Sequence, residues 1–225
     1  MKIVVYTSIF GGYDKLHENQ YKMDGVDYLC FTDSDIKSDT WDIIKSIPIY
    51  NDPNRNAKKY KVLPHRYLSE YDYSIWIDGN ILIVDDIREL VKIHKYQVFD
   101  HNQTIIDARN CIYEEYDVIM KLGQKNGGNY KDSPEIMYNQ IKRYLNEGYP
   151  KNNGLATNPI ILRNHNDSEV IKLMEDWWIE IKYGSRRDQL SFDYVVWKNN
   201  FKYKFLHGDS RKNQYFLQTG KHKGK

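Results

Sequence analysis

Apolar residues in this chain fall into short β-branched runs near the N-terminus and into helix-spaced stripes further on. KIVVYTSIF, residues 2–10, is apolar almost without interruption and ends at Gly11-Gly12, which predicts a buried first strand, not a signal peptide. VDYLCFTD, residues 26–33, repeats the pattern and closes on Thr32-Asp33; WDIIKSIPI, residues 41–49, predicts a third strand. In DPNRNAKKYKVLPHRYLSEY, residues 52–71, Asp52 or Asn54 suits a helix N-cap, and Ala57, Tyr60 and Leu63 recur at helical spacing until Pro64 kinks or restarts the helix. YSIWID and NILIV then predict strands, and a helix is expected from about Ile87 to His94. Strand alternating with helix over the first hundred residues points to an α/β fold with a largely parallel sheet.

The second half predicts more helix. ARNCIYEEYDVIMKLG and SPEIMYNQIKRYLNEG both read as helices, the latter opened by Ser133 and Pro134 as N-cap and first helical residue, with KNGGNYKD as the loop between them. TNPIILRNH predicts a late strand. In NDSEVIKLMEDWWIEIKYG, Val170, Met174, Trp177 and Ile181 form one stripe, with Gly184 at the helix end. DQLSFDYVVWKN predicts a further helix. With 225 residues and no long linker, the pattern predicts one domain over residues 1–225, with 209–225 as a polar, flexible tail.

Composition narrows the function classes. A formal net charge of +2 offers no field for binding nucleic acid through bulk electrostatics. No apolar run approaches the ~20 residues that span a bilayer. The basic KHKGK at the C-terminus allows only weak peripheral contact with a membrane surface. Cys30 and Cys111 share no metal or redox spacing, which fits a reducing, cytoplasmic setting. Twenty tyrosines read either as compositional bias or as a surface for stacking on sugars or bases.

Candidate chemistry centres on Asp78-Gly79-Asn80, an acid and an amide inside an apolar run. At the carboxyl end of a strand in an open α/β sheet, such a group can hold Mg²⁺ or Mn²⁺, with Gly79 admitting a ligand to the backbone. The same tripeptide also suits a tight turn. The basic run Arg55, Lys58, Lys59, Lys61, His65, Arg66 precedes it and reads as a solvated helix face or as charge for a diphosphate. Asp188 reads as an N-cap or an active-site acid, and His207 as a structural residue or a metal ligand.

Taken in order, YTSIFGGYDKLHE, CFTD, NRNAKKYKVLPHRYLSEYDYSIWIDGNI, RNCIYEE, YPKNNGLATNPIILRNHN and WWIEIKYGSRRDQLSFDYVVWK resemble the TOD1/MUCI70 glycosyltransferase-like domain family, over about residues 3–200. That family is itself similar, more remotely, to GT-A glycosyltransferases of the glycogenin and bacterial galactosyltransferase type. The resemblance implies a GT-A-like, Rossmann-related mixed sheet, mostly parallel and flanked by helices. It implies a nucleotide-sugar donor, most simply a UDP-sugar, a glycan or other hydroxyl acceptor, and Mn²⁺ or Mg²⁺. Carried over by position, it implies Asp78, Asn80 and His207 as metal ligands, with Asn80 standing where a second carboxylate is usual. It implies Tyr6, Thr7, Ile9, Thr32 and Asp33 around base and ribose, and Lys61 and Arg55 at the phosphates. Asn153 and Gly154 would line the sugar pocket, and Asp188 and Gln189 would flank the reacting sugar.

The function so implied is metal-dependent hexosyl or pentosyl transfer of the kind used in polysaccharide biosynthesis. Retention and inversion of the anomeric centre both stay open. Two alternatives also stay open: a metal-dependent hydrolase on the same scaffold, and a non-catalytic nucleotide- or glycan-binding module.

Overall fold

A computed structural model describes residues 1–220. The chain runs through β1 (Ile3–Ile9), β2 (Val26–Thr32), β3 (Asp42–Lys45), α1 (Pro53–Val62), β4 (Tyr73–Ile77), β5 (Ile81–Ile83), β6 (Tyr96–Asp100), α2 (Ile112–Lys125), α3 (Pro134–Asn146), β7 (Ala156–Arg163), α4 (Ser168–Tyr183), α5 (Phe192–Lys198), β8 (Lys204–Leu206) and β9 (Phe216–Gln218). Seven strands form one sheet in the order β3-β2-β1-β4-β7-β6-β8, and β5 pairs with β9 in a separate ribbon. β1, β2, β3 and β4 are mutually parallel; β7 runs against both β4 and β6, and β8 is parallel to β6. The α/β, mostly parallel, GT-A-like architecture expected from the sequence is the one observed.

Alternation within the strands decides what each face carries. Val4, Tyr6 and Phe10 point into a core shared with residues from all five helices, among them Tyr60, Ile119, Met137, Trp177 and Phe192. Ile3, Val5 and Ile9 point to the other face, which Trp41, Ile83, Ile87, Val91 and Phe216 cover. Helices therefore gather on one face, and the β5–β9 ribbon with irregular segments closes the other. Eight of the twenty tyrosines are buried, so much of the aromatic content builds the core: Tyr6 meets Trp76 edge-on at 5.2 Å, and Tyr144 stacks on Tyr194 at 3.7 Å.

Several elements differ from their sequence pattern. The helix expected at 87–94 is a single tight turn, Leu90–Lys92, with Ile87 and Val91 buried and Leu90 packed partly against the same core. The helix expected from Asp188 breaks at Ser191 into a short turn, Asp188–Leu190, followed by α5. Residues 209–220, expected within a flexible tail, supply β9 against β5; the KHKGK segment lies outside the described residues. Gly184 ends α4 with φ −109°, not in the left-handed region; glycine is needed there because a Cβ would lie 2.6 Å from the Glu180 carbonyl.

The topology brings one edge of the sheet to a focus. β1 and β4 end there; β7 begins there because it runs against β4, and β6 and β8 end there in turn. The loops after β1, β4 and β6 and the start of β7 thus meet without any one of them spanning the sheet.

Candidate active site

A cleft of about 1090 Å³ opens at that edge. Its floor is built by α1. Asp52 caps this helix, accepting from the Asn54 amide at 3.0 Å, and Pro53 occupies its first turn. Lys58 and Lys61, three residues apart, share one face of the helix and reach the strand ends. The Asp188 carboxylate Oδ2 lies 2.8 Å from Lys58 Nζ and 2.7 Å from Lys61 Nζ. Lys61 Nζ also lies 3.2 Å from Asp78 Oδ1, which accepts from Trp76 Nε1 at 2.8 Å. Two ammoniums and two carboxylates therefore form one chain of alternating charge.

Burial sharpens these charges. The Lys61 side chain is 2% exposed and that of Asp188 8%. Burial alone would push the Asp188 carboxyl up, but Lys58 and then Lys61 overcome this and hold it well below the usual carboxylate range. Burial likewise pulls Lys61 down, and Asp188 and Asp78 more than offset it, leaving its ammonium above the ordinary lysine value. Lys58 has less compensation: burial pulls it down to about 8, Asp188 opposes this, and the neighbouring Lys61 charge adds to it. Backbone contacts fix Asp188, since Trp177 Nε1 and Ser191 Oγ both donate to its carbonyl at 3.1 Å.

The loop after β1 forms one rim. Gly11 and Gly12 both take positive φ, near 61° and 62°, and Gly11 packs so closely on Pro53 that a Cβ would sit 2.7 Å from its Cγ. This delivers Tyr13 and Asp14 to the cleft. Asp14 lies against Gly79, where a Cβ would come within 3.1 Å of its Oδ2. The cleft is also lined by His101 and Arg109 from the β6–α2 connection and by Arg187, the neighbour of Asp188, from the α4–α5 connection.

Of the residues proposed from sequence, Asp78, Lys61, Asp188, Gln189 and Ile9 line this cleft. Gln189 Nε2 donates to the Ala156 carbonyl at 3.4 Å. The others do not line it. Tyr6 is fully buried among Phe31 and Trp76, and its hydroxyl donates to the Lys61 carbonyl at 3.0 Å, so it braces α1 from below. Thr7 and Thr32 are buried, the Thr32 hydroxyl accepting from the Ser34 amide. The Asp33 carboxylate accepts from the Gly11 amide at 3.0 Å and staples the β1 loop. Arg55 donates to the carbonyls of Ile181 and Gly184 at the end of α4. Asn153 is exposed beyond the cleft, and Gly154 (φ 87°) turns the chain into β7. Asn80 Nδ2 donates to the Gly220 carbonyl at 2.8 Å, and His207 is exposed after β8, outside the cleft.

Three residues passed over or left as solvated are at the centre. Lys58 was visible in the basic run, but helical phase alone does not say which lysines meet the sheet. Asp14 carried no signal beyond following Gly11-Gly12. Asn158, 4% exposed, lines the cleft with neither amide atom paired among the described residues. It stands beside Pro159, whose carbonyl accepts from the Asp78 amide at 2.7 Å, and it takes the place expected of Asn153.

The TOD1/MUCI70 glycosyltransferase-like domain description matches residues 1–219, nearly the whole chain. The chain belongs to that family. It is also similar to the probable hexosyltransferase MUCI70 of Arabidopsis thaliana, 26% identical over 222 residues. That alignment covers 86% of this chain and 37% of the plant protein's length. No helix among the described residues is long and apolar enough to cross a membrane.

For a family of this kind, the donor set decides how a divalent cation would be held. Among the described residues, no cluster of three or more His, Cys, Asp or Glu side chains is placed to cage a metal. Asp78 and the adjacent Asp14 are hard oxygen donors on the cleft wall. One or two carboxylates fit an Mg²⁺ or Mn²⁺ ion whose shell is completed by phosphate oxygens. Asn80 and His207 do not join them.

Proposed function

We propose that this domain transfers a sugar from a nucleoside diphosphate donor, a UDP-sugar, to a hydroxyl of a glycan or similar acceptor. The Lys58–Asp188–Lys61–Asp78 array carries the reading. It places fixed, buried positive charge beside a strand-end carboxylate in a cleft large enough for donor and acceptor, in a chain of a glycosyltransferase-like family. Similarity to the plant protein, a probable hexosyltransferase, supports a hexose as the sugar.

Lys61 and Lys58 stabilise the charge that develops on the departing diphosphate, and their burial makes each more effective than in water. Asp78 and Asp14 would hold Mn²⁺ or Mg²⁺ between themselves and the phosphates; when bound, the ion acts as a Lewis acid on the leaving group. Asp188, kept ionised by two ammoniums, is a poor proton acceptor at neutral pH. It instead places a fixed negative charge beside the sugar, whose anomeric carbon becomes cationic as the diphosphate leaves. Gln189, on the cleft wall, orients sugar hydroxyls.

Calorimetry with UDP, with and without Mn²⁺, followed by a transfer and donor-hydrolysis screen across UDP-sugars, tests this reading. Binding strengthened by the cation and turnover lost in Asp188→Asn are expected. Absence of UDP binding under either condition would overturn it.

A further inference from the structure

A glycine near the end of α2 makes room for one tyrosine. Gly123 is buried and its φ is not positive, so no turn requires glycine there, and glycine weakens a helix relative to alanine. A Cβ at this position would overlap the Tyr130 ring, with Cγ at 2.7 Å and Cδ1 and Cε1 closer still. The notch therefore seats Tyr130, which stands half-buried on the α2–α3 loop and lines the cleft. The other side of this loop is anchored too. The Lys131 carbonyl accepts from Arg186 Nε at 3.2 Å and Nη2 at 3.0 Å. The Asp132 carboxylate accepts from the Ser185 hydroxyl and the Arg186 amide, both at 2.7 Å. Arg186 Nη1 also donates to Asp52, the cap of α1, at 3.0 Å. The segment leading into Asp188 thus fixes where Tyr130 stands.

The same loop brings two amides to the cleft. Asn126 and Asn129 both line it and both are exposed. A pyranose ring has a face made mostly of C–H groups and a rim of hydroxyls that donate and accept. An aromatic ring buries such a face while its own polar edge stays wet. A primary amide supplies one acceptor and two donors, which suits neighbouring hydroxyls. None of the three side chains is charged, so together they match a neutral ring better than an ion.

We propose that Tyr130, with Asn126 and Asn129, is the acceptor subsite, a stacking platform for a neutral pyranose ring of the acceptor glycan. The assignment rests on the glycosyltransfer reading, in which Lys58, Lys61 and Asp78 take the diphosphate and Asp188 stands beside the donor sugar. The loop is anchored on Ser185 and Arg186, immediately before Asp188, and this gives the platform to the sugar end of the donor. Gly123 and Arg186 are positioning residues: one seats the ring and the other holds the loop that carries it.

Ligand-observed NMR with methyl β-glucoside, methyl β-galactoside and methyl β-xyloside in the presence of UDP tests the platform, alongside calorimetry with UDP and UDP-glucose. At least one glycoside is expected to bind, and Tyr130→Ala should weaken it at least tenfold while UDP affinity changes less than twofold. Tyr130→Phe should keep the glycoside affinity, because the ring face and not the hydroxyl makes the contact. Gly123→Ala should displace the ring and weaken the same glycoside severalfold, and in the double variant with Tyr130→Ala the two losses should not add. Melting curves check each variant. Binding of none of the three glycosides, or equal binding by the parent and Tyr130→Ala, overturns the platform. A tenfold loss of UDP affinity in Tyr130→Ala would assign the ring to the nucleobase, and a loss seen with UDP-glucose but not with UDP would assign it to the donor sugar; either overturns the acceptor assignment. If UDP does not bind the parent protein, the glycosyltransfer reading and the acceptor assignment fall together, while Tyr130-dependent glycoside binding in the absence of UDP would still establish a glycan platform.

Discussion

Lys61 Nζ lies 2.7 Å from Asp188 Oδ2, joining the last turns of α1 to a residue more than a hundred positions later. Each charge is buried; Asp188 is stabilised by Lys58 and Lys61, and Lys61 by Asp188 and Asp78. Removing one partner therefore exposes the cost of the other. Asp188→Asn leaves two buried ammoniums without their shared carboxylate, and breaking such a pair costs on the order of 3–5 kcal/mol. Thermal unfolding should show that loss, and turnover with a UDP-sugar should fall at least a hundredfold. Unchanged turnover would exclude a role for Asp188 beside the sugar.

Lys58 offers a pH signature. Held near 8 in the free protein, it is substantially neutral at pH 8 and protonated at pH 6.5. An incoming diphosphate favours the ammonium, so UDP binding at pH 8 should take up a fraction of a proton, and binding at pH 6.5 almost none. Calorimetry in buffers of different ionisation enthalpy measures this directly. Lys58→Met should abolish the buffer dependence.

Gly79 separates Asp78 from Asp14. A methyl group there would crowd the Asp14 Cβ at 3.0 Å and Oδ2 at 3.1 Å. Gly79→Ala should weaken Mn²⁺-dependent UDP binding about tenfold, while binding without the cation changes little. Equal losses in both conditions would show that the glycine serves only the turn.

Arg55 distinguishes stability from chemistry. Its guanidinium satisfies two carbonyls at the end of α4, and hydrogen bonds from a charged donor contribute about 1.5–3 kcal/mol. Arg55→Met should lower the unfolding free energy by an amount of that order and leave UDP affinity unchanged. A matching loss of affinity would return Arg55 to the phosphate site.

Asp193, 3% exposed, accepts from the Ala156 amide and Tyr203, yet burial pushes its carboxyl up to about 6. Its folded value exceeds its unfolded one, so it favours folding most at low pH, and this contribution is lost as pH rises through 6. The gap from the ordinary 3.8 corresponds to roughly 3 kcal/mol. Asp193→Asn should therefore gain stability relative to the parent at pH 8, and the gain should shrink as pH falls below 6. A difference independent of pH would rule out this titration.

Strands β1, β2 and β4 and helices α1, α3 and α4 were legible because short β-branched runs, capped starts and helix-spaced stripes are local properties. Asp78 was legible for the same reason: a strand end in an α/β sheet has a known place. β6 was not, since Tyr96–Asp100 is short and follows a polar segment, and it becomes a strand only by pairing with β7 and β8.

The cation set shows where local pattern stops. Arg55 and Lys61 stand about 120° apart around α1, so one reaches the end of α4 while the other reaches Asp188. Asn80 follows Asp78 by two positions, which would share a face in an extended strand. The turn closed by the Ile81 amide on the Asp78 carbonyl breaks that period and sends Asn80 under Gly220.

By itself, then, the sequence determined the α/β order, the helix carrying Lys58 and Lys61, and the carboxylates Asp78 and Asp188. Only the tertiary structure decided which charges meet. β7 runs against β4, so Asn158 enters the cleft, and β6 ends at the same edge, bringing His101 and Arg109 into it. Backbone pattern follows from neighbours along the chain, whereas the pairing of buried charges depends on side-chain direction and strand order, which no local segment encodes.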